Sequence, residues 1–150
     1  MVFASTPKLT RLNNVNPPIN NCPLNRVESF KYLGITSSPT LSWSDHVEAI
    51  SNKIYQRLGV IRRVKHLLTL ESCLSLVNSL VMPIFDYADF VWGDKNNSVL
   101  MDHLQVLHNK AAKIILDAHP LSSASKSLQL LNWQPLSICR HFRRCLAGSE

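Results

Sequence analysis

The chain has little glycine, four residues in 150, and that scarcity argues against a turn-rich β-sandwich. Its four cysteines, Cys22, Cys73, Cys139 and Cys145, contain no CxxC pair, and no signal-peptide pattern precedes them. A disulfide scaffold is therefore not expected; free thiols in a reducing intracellular compartment, nucleus or cytoplasm, are. Long hydrophobic runs are missing too. The best candidate, Leu74 to Phe85, is interrupted by Ser75, Asn78, Ser79 and Pro83, so no membrane-spanning segment and no membrane partner are expected. Acidic residues are in the minority, ten Asp and Glu against 16 Lys and Arg, for a formal net charge of +6. The sign favours contact with a polyanion, while the size equally suits an ordinary soluble domain.

What is present is apolar. Hydrophobic residues make up 45% of the chain, enough for one packed core at this length and too much for a largely disordered tail. Met1 to Ser5 has the pattern of the end of a strand, and Thr6 to Asn25 is rich in Asn and Pro, with Ile19 to Cys22 a short candidate strand before a turn at Pro23. Val27 to Ile35, VESFKYLGI, alternates partially and ends near Gly34, which predicts one further strand.

After Pro39 the period becomes helical. Val47, Ile50, Ile54, Leu58, Ile61, Val64 and Leu68 fall on one stripe, predicting a helix from about Asp45 to Leu67 with Ser42 or Ser44 at its cap. Thr69 is placed to cap a second helix whose Leu70, Cys73, Leu74, Leu76, Val77, Leu80, Val81 and Ile84 nearly encircle it, the pattern of a central, buried helix. Pro83 should break it before it resumes from Asp86 to Trp92. Ser98 can cap a third helix with a stripe of Leu100, Leu104, Leu107, Ala111 and Ile114, ended by Pro120, with Asp102, Lys110, Lys113 and Asp117 pointing away. Two shorter helices, Ser123 to Leu131 and Pro135 to Leu146, complete the prediction. The fold class expected is mainly α: a helical bundle with a small N-terminal β segment that is less protected from hydrogen exchange than the Leu70 to Val81 helix.

Four segments carry a resemblance. They are SFKYLGITSSPTLSWSDH (Ser29 to His46), LVMPIFDYADFVW (Leu80 to Trp92), the Gln and Leu-rich helix Leu104 to Ile115, and LNWQPLSICR (Leu131 to Arg140). In this order and spacing they resemble the region of LINE-type, non-LTR retrotransposon reverse transcriptases that runs from the end of the palm through the helical thumb. MVFAS at the start resembles the strand after the palm's Lys-Thr pair. The resemblance implies a palm remnant with a primer-grip strand at 1–36, a thumb at 37–120 and a C-terminal helical segment at 121–150. It makes Tyr32, Leu33 and Gly34 primer-grip-like, although taken alone Leu33 reads as core and Gly34 as a strand end. Partners implied are RNA or DNA and the family's palm and fingers, with an RNA and DNA hybrid competing at least as well as single strands.

Nucleotide addition in the family uses magnesium held by an early palm aspartate and a Tyr-x-Asp-Asp turn. Both precede the YLG strand in the family's order and neither occurs here, so no catalytic residue and no metal or cofactor site is expected. Tyr87-Ala88-Asp89-Phe90 imitates that turn in the wrong place, and Asp86 and Asp89 read as helix-surface charges. Ser44, Asp45 and His46 adjoin, but capping explains the first two better than a catalytic triad does. Cys139, His141 and Cys145 lack a common zinc spacing and read as thiols against a helical core. Lys53, Arg57, Arg62, Arg63 and Lys65 on the first helix, with Arg140, Arg143 and Arg144 on the last, are candidate phosphate contacts, though the first set is scattered around its helix. Trp43, Trp92 and Trp133 read as packing anchors. Three functional readings stand: a non-catalytic binding module, a portion of an active polyprotein, and a relic reading frame.

Overall fold

The computed structural model describes residues 18–19, 22–23, 27–93 and 97–147; the strand predicted for Met1 to Ser5 lies outside them. The described residues are mainly helical, with two small antiparallel sheets toward the N-terminus. The chain divides into two compact units, Met1–Glu48 and Ala49–Glu150.

In the first unit β1 (Pro18–Ile19) pairs with β2 (Cys22–Pro23), and β3 (Phe30–Tyr32) with β4 (Ile35–Ser37). The first pairing stands where a single strand was predicted, and the second replaces a single predicted strand with a hairpin. The second reverses at Leu33 and Gly34, whose φ values of 46° and 80° are both positive, as a two-residue type I′ turn demands. Alternation alone could not reveal this, because leucine rarely takes that conformation. Leu33 is 70% exposed, so its reading as core is overturned, and Gly34 is a turn residue. Leucine in the left-handed region costs about 1–2 kcal/mol. Leu33→Asn, giving the Asn-Gly pair that this turn favours, should raise hairpin stability by on the order of 1 kcal/mol, read as slower hydrogen exchange of the Ile35 amide.

Helix α1 (Ser44–Val64) runs from the first unit into the second. Its first bond joins the Val47 amide to the Trp43 carbonyl at 2.8 Å, which puts Trp43, not a serine, at the cap. Val47, Ile50, Ile54, Leu58 and Ile61 are buried as the stripe predicts. The stripe fails at its end. Val64 is exposed and Leu68 half-buried, where a 3₁₀ turn (Lys65–Leu67) tightens the backbone and swings the row off the core.

In the second unit α2 (Leu70–Leu80) is capped by the Thr69 hydroxyl, which accepts from the Ser72 amide at 3.2 Å. Only one face is buried, through Cys73 and Val77, while Leu70 and Leu80 are 55% and 43% exposed; the expectation of a central helix is corrected. Pro83 breaks the run as predicted, opening α3 (Met82–Asp86). A second break, not predicted, falls at Ala88, whose φ of 51° starts α4 (Asp89–Trp92). That conformation costs about 1–2 kcal/mol. It brings Trp92 to complete burial, and an indole burying roughly 150–250 Å² returns about 4–6 kcal/mol at ~25 cal/mol per Å², so the kink is sustained.

Helix α5 (Ser98–Leu116) is capped at Asn97, not Ser98, and ends where Asp117 turns left-handed ahead of Pro120. Its buried face is broader than predicted, adding His108, Ala112 and Ile115 to Leu104, Leu107 and Ala111. Helices α6 (Ala124–Leu130), capped by Ser123, and α7 (Leu136–Ala147) pack on it. Gln105 Oε1 accepts the first amide of α7, from Leu136, at 2.8 Å.

Helix α7 is turned against its own amphipathicity. Arg140 is 6% exposed and Arg143 and Arg144 half-buried, whereas Ile138, Phe142 and Leu146, one row at i, i+4 and i+8, are 41%, 65% and 72% exposed. What turns it is a set of charge partners on α3 and α4.

Candidate nucleic-acid interface

The primer-grip-like residues sit on the β3–β4 hairpin, Tyr32 at the end of β3 and Leu33 and Gly34 forming its tip. Tyr32 is 67% exposed. The tip presents an aromatic ring, a strained leucine and bare backbone to solvent.

The cations of α1 separate into different environments. Lys53, Arg57, Arg62 and Arg63 are exposed, and Arg57 donates from Nη1 to the Leu80 carbonyl. Lys65 is half-buried and its ammonium lies 2.7 Å from Asp117 Oδ1. That hydrogen-bonded ammonium holds the Asp117 carboxyl below the usual carboxylate range. Arg62 and Lys65 line one side of a cleft of about 680 Å³ whose other residues include Lys110, Lys113, Asp117 and His119. Lys110 and Lys113 were expected only to point away from the α5 core. Their spacing of three residues puts them on one helical face, a signal present in the sequence, but nothing local says that α1 lies opposite.

The arginines of α7 face inward. Arg143 donates to Asp86 and Asp89 together, Arg140 Nε lies 3.8 Å from Asp89 Oδ2, and Arg144 donates to the Gly93 carbonyl. Arg140 also stacks on Trp92 at 5.3 Å from the ring centroid and points Nη1 at Met101 Sδ, 2.7 Å away. Burial pushes the Arg140 pKa down, against the supporting charge of Asp89. Gly93 is required here, since a Cβ would collide with the Asp89 carbonyl.

Asp89 is thus not a surface charge, being 3% exposed and held in an ion-pair network, whereas Asp86 is exposed as expected and pairs with Arg143. Tyr87-Ala88-Asp89-Phe90 spans the α3–α4 kink, and its one carboxylate, Asp89, is already matched by the guanidinium groups of Arg140 and Arg143, so it does not fit magnesium, which needs free oxygen ligands. Among the described residues no three His, Cys, Asp or Glu side chains converge as a metal set would require. Cys139 is half-buried, but Cys145 is exposed with its sulfur 3.7 Å from His141 Nε2, which corrects its reading as a core thiol. Trp92 is fully buried, its Nε1 donating to the Tyr87 carbonyl at 2.9 Å. Trp133 stacks on His108 with ring centroids 5.0 Å apart. His46, which had no assigned role beyond its neighbours, is 3% exposed and accepts the Thr36 amide at Nδ1, 3.3 Å.

Over 114 residues, 73% of its length, the chain is 32% identical to a Drosophila melanogaster protein described as "Probable RNA-directed DNA polymerase from transposon BS", and it spans 12% of that protein. No family model matches, and no solved structure matches. The similarity supports a reverse-transcriptase-like origin.

Proposed function

We propose that the chain is a thumb and connector module of a LINE-type reverse transcriptase that holds nucleic acid and does not itself add nucleotides. The observation that carries this reading is the similarity to a transposon RNA-directed DNA polymerase over 73% of the chain. The motif order fits it: the YLG hairpin as primer grip within 1–36, a thumb over 37–120 and a closing helical segment over 121–150. Leu33 supports the first assignment, because an apolar side chain both strained and exposed is the kind of local conflict that collects at functional positions. Nowhere in the 150 residues do two aspartates adjoin, so a Tyr-x-Asp-Asp metal site has to come from other segments.

Binding by such a module is weak, indifferent to sequence and steep in salt, because exposed Lys and Arg can reach phosphates but form no set for reading base edges. Each phosphate neutralised adds about 0.9 to the slope of log affinity against log salt on duplex DNA. Titrations at several chloride concentrations test this, with Arg62→Ala/Arg63→Ala expected to weaken all sequences alike. Tight, sequence-selective binding that survives high salt would overturn it, as would metal-dependent primer extension by the pure chain. The relative's greater length favours a second reading, in which this module works within a complete polymerase; an in-frame Tyr-x-Asp-Asp motif encoded upstream of Met1 would support that.

A further inference from the structure

We infer that the cleft between α1 and α5 takes the phosphodiester backbone of a single nucleic-acid strand, a placement that rests on the nucleic-acid-binding reading above. Arg62 and Lys65 line it from the α1 side, Lys110 and Lys113 from α5, with His119 beyond. The walls are tied at two points that run in the same chain direction on both helices: Lys110 Nζ lies 4.8 Å from the Tyr55 ring centroid, and Lys65 meets Asp117 at 2.7 Å. Lys113 Nζ is anchored 2.6 Å from the Pro120 carbonyl. Three of the four cations are therefore held in place before a ligand arrives, which lowers the ordering cost of binding.

The electrostatic balance favours an anion. The single carboxylate among the lining residues, Asp117, is already matched by Lys65. The C-terminal ends of α1 and α5 oppose an anion with roughly half a charge each, less than the cations supply. Shape then selects the form of the ligand. The cleft, at about 680 Å³, is of the size that accepts a small ligand or a short stretch of backbone, and cations on both walls can reach one strand from two sides. A duplex is stiff over many base pairs and far larger than this volume, so a flexible single strand fits the cleft better. This departs from the hybrid preference that the family resemblance implies.

The test uses the full chain, a labelled oligothymidine and a labelled oligouridine, and an unlabelled duplex of equal length as competitor. Lys110→Ala/Lys113→Ala should weaken strand binding at least fivefold and reduce the salt slope by about 1.4, two contacts at about 0.7 each on a single strand. Lys126→Glu, which lowers the charge by the same two units at an exposed position outside the cleft, should change affinity less than twofold. Lys110→Arg/Lys113→Arg should bind as the parent does, and circular dichroism should match throughout. Equal weakening by Lys126→Glu and by the Lys110/Lys113 alanine pair would overturn the cleft in favour of diffuse charge, and a duplex that competes better than the unlabelled strand would overturn the choice of ligand. If the unaltered chain binds no nucleic acid at all, it is the proposed function that fails.

Discussion

Asp89→Ala is expected to cost about 3–5 kcal/mol of folding stability, the range for removing one partner of a buried ion pair. Asp89 is 3% exposed and Arg140 6%. With the carboxylate gone, Arg140 keeps its burial against Trp92 and Met101 but loses its anion, and an uncompensated buried charge is the expensive outcome. Arg143 fares better, since its side chain is 35% exposed and Asp86 remains beside it. The asymmetry gives the prediction a second arm. Asp89→Leu/Arg140→Met removes both charges and should recover most of the loss, because a buried pair and an apolar replacement of similar volume come out close in energy. Urea unfolding of the full chain measures both. A loss below about 1 kcal/mol for Asp89→Ala would mean that solvent screens the pair as it does on a surface.

Acid should destabilise the protein between about pH 6.5 and 4, through His108. Its ring is 1% exposed, edge-on to Phe85 at 5.7 Å between centroids and stacked on Trp133 at 5.0 Å. Its Nε2 has no hydrogen-bond partner among the described residues. Burial, helped by the charge of Arg140, lowers its pKa to about 4. The unfolded chain binds this proton near pH 6.5 and the folded one only near 4, so stability present above the first value is lost as pH falls toward the second, by on the order of 3 kcal/mol in all. Asp86, whose pKa is raised by burial against the pull of Arg143, acts in the opposite sense over the carboxylate range. Comparison with His108→Phe isolates the histidine: the variant should lose most of the drop in urea midpoint between pH 7 and 4.5. A parent midpoint that moves no more than the variant's would show that the folded state accepts the proton.

Much of the helical fold was legible because its signals are local. Thr69 and Ser123 cap as their positions require, Pro83 breaks its helix, and Ile50 to Ile61 bury the face that their spacing marks. The misses have two causes. The hairpin at Leu33 and the kink at Ala88 depend on positive φ at residues that seldom adopt it, so no propensity announces them. The exposed sides of α2 and α7, the inward Arg140 and the buried Asp89 are decided by which element lies opposite, information spread over 54 residues in the case of Arg143 and Asp89. The cleft cations divide the same way: Arg62 and Lys65 were candidates from their helix, while Lys110 and Lys113 gained significance only with α1 beside them.

The outward row of Ile138, Phe142 and Leu146 on α7 bears on how the chain behaves in solution. Three apolar side chains in register along two helical turns favour reversible self-association, and excluded salts such as sulfate strengthen that tendency. The same added salt weakens attraction to phosphates by screening and counterion competition. Raising sulfate would therefore drive the molecules toward one another while driving nucleic acid away, and an apparent loss of binding would mix the two effects. Chloride at low protein concentration separates them. Phe142→Gln, at a position 65% exposed, should abolish the protein-concentration dependence and leave the salt slope of the proposed strand binding where it was.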